Sequence, residues 1–473
     1  MDPHTRVSAV QRWLAGILQD RIAPAAVRLE LADGTSTYAG PEPESGALIV
    51  RDTRVILGLL VNPHLYFGEA YMAGRLDVRG GLERVVEAVS RLSLLPTPIE
   101  RITSPLSVAN DQGRSRRNVH HHYDLGNDFY QSWLDEQLVY TCAYFERPDV
   151  SLEEAQRAKL DLVCRKLRLR AGETVVEAGC GWGALALHMA RSYGVRVKAF
   201  NLSHEQIAYA RERAAREGLA SQVEFIEDDY RNVKGEYDAF VSVGMLEHVG
   251  LKHFGSLAEV LSRVLRRACG RGLLHFIGRD IPRPLNAWIR RRIFPGAYPP
   301  TLAEVATKVL GPAHMSIIDV ENLRLHYART LAHWGERFSA IEGQVRQRYG
   351  EQFRRAWELY LAGSEAAFAA GSLQLFQVVF SPLETAPPHW ARAELYPGST
   401  PDHSRDSASD LNRARGSDQG RDRAPDHGRD RTPDHGRDRT PDHGRDRTPD
   451  HGRDRTPDHG RDRTPEKWFA GTR

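Results

Sequence analysis

The 473-residue chain has little cysteine, little net charge and no long apolar run. Its four cysteines, Cys142, Cys164, Cys180 and Cys269, include no C-x-x-C pair. That argues against a zinc or disulfide framework and suits a reducing compartment. A formal net charge of +3 gives no electrostatic footprint for nucleic acid. The longest strongly apolar run, Val55–Val61, is far too short to cross a bilayer. The amino terminus lacks the apolar segment of a signal peptide. These absences predict a soluble, cytoplasmic protein and leave room for peripheral attachment to a membrane. The hydrophobic fraction of 41% allows a sizeable core, and the length allows two or three domains.

What is present is a glycine turn. Residues Val175 to Gly183 read Val-Val-Glu-Ala-Gly-Cys-Gly-Trp-Gly, followed by the apolar stretch Ala184–Ala190. A β-branched run, a turn nearly free of side chains and a helix start form a place for a nucleotide-like cofactor against the backbone. The dinucleotide fingerprint G-x-G-x-x-G is missing: Gly179, Gly181 and Gly183 give G-x-G-x-G. The second strand, Val195–Phe200, runs into Asn201-Leu202-Ser203, where a dinucleotide fold would carry an acid for the ribose. Both departures count against NAD. An E-x-G-x-G turn after a first strand instead resembles the S-adenosylmethionine site of class I methyltransferases. There, Glu177 would face the cofactor and Gly179, Gly181 and Gly183 would make room for its methionine moiety.

Composition divides the chain. Residues 1–95 are expected to form a small α+β domain. Its first helix carries the stripe Val7, Val10, Trp13, Leu14, Ile17 and Leu18, read as packing against its own domain, with lipid contact as the lesser alternative. Strands are expected at Val27–Leu31 and Ala47–Val50 and a helix at Gly81–Leu92. Residues 96–117 read as a polar, basic linker. Residues 118–395 alternate strands with helices, predicting a doubly wound α/β (Rossmann-like) parallel sheet. Leu373–Phe380 reads as a late antiparallel strand at the sheet edge. Residues 396–473 form a tail that repeats Arg-Asp-Arg-Thr-Pro-Asp-His-Gly. With almost no apolar residue and a proline in each unit it cannot build a core, so disorder is expected. Its isolated histidines make a poor metal site, and no metal is expected elsewhere.

Several motifs add to the turn. They are Gly68-Glu69-Ala70-Tyr71-Met72, His121 to Tyr130, Val139-Tyr140-Thr141-Cys142-Ala143-Tyr144-Phe145, Val243 to Gly250 and Leu273 to Gly278. Together and in this order they resemble cyclopropane-fatty-acyl-phospholipid synthase and its relatives, up to about Pro382 but not in the repeat tail. The resemblance implies attack of a cis acyl double bond on the methyl of S-adenosylmethionine. A carbocation results, and loss of a proton closes the ring. Such chemistry calls for aligned reactants, a water-poor aromatic pocket and a weak base.

For the base, the family uses a bound bicarbonate. The residues carried over are Cys142, Glu247, His275 and Tyr327, with the Ile277 backbone nearby. For the cofactor they are Tyr140, Thr141, Glu177, the Gly179–Gly183 turn, Asn201, Ser203, Gln206, Asp229 and Tyr230, the last two near the adenine. The implied partner is an unsaturated phospholipid in a membrane surface, with Arg290-Arg291-Arg292 beside Ile293-Phe294 as a candidate anionic-lipid contact. A homo-oligomer is compatible with the sequence.

Three positions depart from the family: Glu177 replaces an aspartate, Phe276 a small hydroxyl residue, and Ser364 a cysteine. Phe276 is expected to reshape the acyl pocket, and Ser364 removes any covalent cysteine mechanism there. Two alternatives stay open: a same-fold enzyme leaving a methyl- or methylene-branched chain, and a lipid-binding protein with an inactive catalytic domain.

Overall fold

The run Thr174–Ala178 forms a buried central strand, β5, as its β-branched residues demand. The computed structural model describes residues 7–38, 45–92, 125–385, 392 and 395. The expected linker, the repeat tail and His121–Asp124 lie outside the described residues.

The amino-terminal module begins with helix α1 (Ala9–Ile22), started by a capping box in which Ser8 Oγ accepts from Gln11 N–H. Strands β1 (Val27–Leu31), β2 (Ser36–Thr37), β3 (Gly46–Val50) and β4 (Leu76–Arg79) make a sheet of order β2-β1-β3-β4. Only β1 and β3 pair in parallel. Helices α2 (Arg54–Val61), α3 (Pro63–Met72) and α4 (Leu82–Leu92) complete it. The expected apolar stripe of α1 is split. Val7 and Leu18 enter the core, whereas Val10 and Trp13 are about two-thirds exposed, at 65% and 66%. The stripe is wider than the one face of α1 that the module covers.

The Gly68–Met72 motif joins this module to the catalytic region. A Cβ on Gly68 would come within 2.3 Å of the Trp288 ring, so only glycine allows the approach. Glu69 accepts two bonds from Arg292, at 2.8 and 2.9 Å. Tyr71 donates to Glu358 at 2.9 Å and stacks under Arg355.

Seven strands form the main sheet, in the order β10-β11-β9-β8-β5-β6-β7. They are β5, β6 (Arg196–Asn201), β7 (Val223–Glu227), β8 (Ala239–Val243), β9 (Arg271–Gly278), β10 (Met315–Asn322) and β11 (Gln374–Pro382). Strands β5 to β9 are mutually parallel; β11 is antiparallel to both β9 and β10. The longer helices of this region are α5 (Leu152–Lys166), α6 (Ala184–Tyr193), α7 (His204–Arg216), α8 (Phe254–Val264), α9 (Arg324–Tyr349) and α10 (Glu351–Ala369). This is the class I methyltransferase fold. Its strand order reverses between β5 and β8, which opens a crevice at their carboxyl ends.

The late strand is antiparallel as expected, but it is not the edge. Strand β11 is buried along its whole length, and the edge is β10, whose alternation of covered and exposed positions is interrupted at the irregularity between Ile317 and Asp319. That broken alternation hides β10 in the sequence.

Candidate active site

A cavity of about 170 Å³ lies at the β5/β8 crevice. Gly179 and Gly181 form its floor with positive φ of 85° and 53°, conformations open to glycine at no steric cost. A Cβ on Gly181 would meet nothing within 4 Å, so the space above it is open. Gly183 stands behind the turn instead. Its φ is +84° and a Cβ there would strike Phe225 at 2.6 Å, so this glycine serves helix-to-sheet packing. The turn is pinned from the upstream motif, since Trp182 Nε1 donates to Asn127 Oδ1 at 2.8 Å.

Of the remaining residues expected at the cofactor, Tyr140, Thr141, Glu177, Asn201, Gln206, Asp229 and Tyr230 all line this cavity. Ser203 does not; it is the buried cap of α7, its hydroxyl accepting from Gln206 N–H. The Asp229 carboxylate is held by Arg231, both oxygens at 2.7 Å.

Three buried polar atoms on the cavity residues have no hydrogen-bond partner among the described residues: Glu177 Oε2, Gln206 Nε2 and Tyr230 Oη. Asn201 explains the second, because its Nδ2 donates to Gln206 Oε1 at 2.7 Å and turns the Gln206 amide nitrogen the other way. Burial lifts the Glu177 carboxyl to about 8, opposed by the Lys159 ammonium. Lys159, itself buried, donates to Thr141 Oγ1 at 2.8 Å. An unpartnered carboxylate oxygen, an amide donor and a phenol around an open glycine floor fit a ligand with a cationic amino-acid end and a polar nucleoside end. S-adenosylmethionine has that make-up.

A second cavity of about 300 Å³ shares Tyr140, Thr141, Gly244 and His248 with the first. Glu247, His275, Ile277 and Tyr327 line it close to that shared wall. Glu247 Oε1 accepts from Ile277 N–H, and its Oε2 is buried and unpartnered. Burial raises its carboxyl to about 7, against the pull of the Ile277 N–H.

The state of His275 follows from its neighbours. Lys166 can only donate, and it donates to Gln377 Oε1 at 2.6 Å. The Gln377 amide nitrogen therefore faces His275 Nδ1, at 3.0 Å. Nδ1 accepts that bond, so the ring proton sits on Nε2, which is buried and unpartnered. Burial, with the Lys159 and Lys166 charges, drives the His275 pKa far down. His275 is a neutral donor.

Tyr327 stacks on Phe368, with centroids 4.5 Å apart. The Cys142 thiol is fully buried, directed at Ala143 O (3.1 Å) and Leu323 O (3.9 Å), and lines neither cavity. Burial keeps it protonated. Phe276 does not reshape the second cavity. Residues alternate along β9, so His275 and Ile277 face it while Phe276 packs on Phe376 across the sheet. Ser364 does line it.

The sequence matches the mycolic acid cyclopropane synthetase family over residues 110–378, more than half of the chain. The chain belongs to the cyclopropane-fatty-acyl-phospholipid synthase family. It is an S-adenosylmethionine-dependent methyltransferase of the group that modifies lipids. Residues 17–93 match a separate domain family whose function is undescribed. A probable fatty acid methyltransferase of Pseudomonas putida is 35% identical over 381 residues, 78% of this chain and 96% of that one. The cyclopropane-fatty-acyl-phospholipid synthase of Escherichia coli K12 is 38% identical over 331 residues, 67% and 83% of the two chains. Among solved structures, the mycolic acid cyclopropane synthase CmaA1 complexed with SAH and CTAB aligns with a TM-score of 0.53 at 30% identity. It covers 56% of this chain and 97% of its own.

Gln377, Lys166 and Lys159 were absent from the residues carried over from the family. Each left a trace in the sequence. Gln377 is the one polar side chain inside the apolar run Leu375–Phe380, and both lysines stand on the buried face of α5. No described helix is long and apolar enough to cross a membrane.

Proposed function

We propose that this enzyme adds the methyl carbon of S-adenosylmethionine to the cis double bond of a phospholipid acyl chain and closes it to a cyclopropane. The observation that carries the reading is the pair Glu247 and His275. Both are buried, each has an unpartnered polar atom, and both line a largely apolar cavity that borders the cofactor cavity.

When bound, S-adenosylmethionine supplies an electrophilic methyl group and bicarbonate supplies a weak base. Glu177 would hold the cationic end of the cofactor, and Gln206 and Tyr230 its nucleoside end. The acyl double bond would lie at the wall shared by the two cavities, beside Tyr140 and Thr141. The rings of Tyr140, Tyr327, Tyr360 and Phe294 line the cavity and would meet a developing cation with π-electron density. The donor set fits a small oxyanion: neutral His275 offers Nε2–H, and the Tyr327 side chain lines the same cavity. Glu247 Oε2, titrating near 7, can take up a proton there. The Cys142 thiol is aimed at carbonyls and adds nothing to this set through its side chain.

The substrate would sit in a membrane surface, which the enzyme must approach. Of the three adjacent arginines, Arg292 is committed to Glu69, leaving Arg290 and Arg291 for anionic lipid. A second reading, a methyl- or methylene-branched product, has the support of the fatty acid methyltransferase relative. Mass spectrometry of lipids from cells expressing the chain separates the two. Gain of one CH₂ with loss of the alkene, and ring protons by NMR, supports the cyclopropane. Gain with the alkene retained supports the branched product. No release of S-adenosylhomocysteine with unsaturated phospholipid would refute both.

A further inference from the structure

The larger cavity does not end at the sheet. Its wall continues along α10 and into the amino-terminal module, where it includes Leu18 and Ile22 of α1, Leu48 of β3 and Val85 of α4. All four are less than a tenth exposed and belong to the core of the module, so the cavity wall they form is backed by packed core. The facing surface of α10 carries a patch of small residues, Gly363, Ser364 and Ala367, between Leu359 and Tyr360 on one side and Phe368 on the other. A Cβ on Gly363 would meet nothing within 4 Å, as expected of a helix position that borders empty space. A more polar stretch of the lining lies to one side of these four residues. His64, Arg283 and Asn286 are all partly exposed, and Arg283 and Asn286 flank the Pro284–Leu285 segment.

We infer that the module is a specificity element. Its core forms the blind end of the acyl cavity, holds the methyl-terminal part of the chain and limits how many carbons can lie beyond the reacting double bond. This rests on the proposed function above. A chain whose double bond is held near His275 and Glu247 must place its two arms in opposite directions. The arm leading to the head group needs an exit with polar neighbours. The other arm is purely hydrocarbon and fits a closed apolar end, where one surplus methylene has nowhere to go. The module thereby acts on the substrate from the far side of the site, through shape alone.

The test uses three phosphatidylglycerols mixed in one vesicle. Palmitoleoyl chains have six carbons beyond the double bond, oleoyl chains eight, and cis-vaccenoyl chains six with two more on the carboxyl side. Products are counted by mass spectrometry as ratios of kcat/KM. Val85→Phe shortens the chamber from the module, and Gly363→Leu shortens it from α10, where the space is open. In both, the oleoyl-to-palmitoleoyl ratio should fall on the order of 10-fold, while the cis-vaccenoyl-to-palmitoleoyl ratio stays within about twofold. Unchanged ratios, or a fall that follows cis-vaccenoyl instead, would overturn the inference. Calorimetric binding of S-adenosylhomocysteine reports folding, and Gly363→Leu decides the matter should Val85→Phe not fold. Failure of the unaltered enzyme to convert any of the three lipids would reject the proposed function itself.

Discussion

Replacing Glu247 by Gln should abolish turnover and, at the same time, stabilise the protein at neutral and alkaline pH. The carboxyl is buried, and its pKa is raised from 4.5 to about 7 because burial penalises the charge more than the Ile277 N–H rewards it. The folded protein thus holds this proton more tightly than the unfolded chain does. The resulting stability is fully present below pH 4.5, fades as pH rises, and is lost above about 7. At roughly 1.4 kcal/mol per unit the loss is about 3 kcal/mol. Glutamine is neutral throughout and keeps an oxygen for Ile277 N–H. The stability difference between variant and unaltered enzyme should therefore grow by about 3 kcal/mol between pH 4.5 and pH 8. Denaturant unfolding of both proteins across this range measures it. Glu177, also raised by burial, is common to both and cancels. Activity supplies the second arm. If the carboxylate form takes up the proton, kcat/KM of the unaltered enzyme should drop about tenfold per unit below pH 7. The variant should bind S-adenosylhomocysteine normally yet turn over no lipid. Parallel stability curves would refute the burial argument, and an active variant would refute the proton role.

Three further outcomes are expected. Gln377→Leu removes the donor that sets the His275 tautomer; kcat/KM should fall about 100-fold with cofactor affinity intact. Nitrogen-15 NMR of His275 should then show a mixture of ring tautomers, and a pure Nε2–H signal would contradict the assignment. Gly183→Ala forces a side chain onto a left-handed backbone and against Phe225, so thermal unfolding should report a loss of about 2 kcal/mol or more. Arg292→Ala leaves Glu69 without its bidentate partner between the module and the catalytic region, costing about 3 kcal/mol in denaturant titration; a change below about 0.5 kcal/mol would show the pair to be solvent-screened.

Much of the site was legible in the sequence because its signals are local. A β-branched run, three alternating glycines and an apolar helix start specify strand, turn and helix within a dozen residues. The order of the motifs around them pointed to the family. His275 and Ile277 could be paired as neighbours on one face by counting along a strand. The same count, applied to Phe276, would have placed it on the opposite face.

Other features depend on contacts between residues far apart in the chain. Gln377 stands directly opposite His275 only because β11 pairs antiparallel with β9 in that register. Lys166, more than two hundred residues earlier, then decides which way the Gln377 amide points. Strand register and side-chain orientation of this kind arise from packing, which no local pattern encodes. The same holds for the larger cavity, whose lining comes from segments separated by most of the chain. The sequence by itself determined the glycine turn, the alternation of parallel strands and helices around it, and the chemistry class. Only the tertiary structure decided which nitrogen of His275 carries the proton, which glycine serves packing, and that the amino-terminal module lines the larger cavity. Short-range periodicity dictates elements, whereas protonation, register and cavity shape are set where distant elements meet.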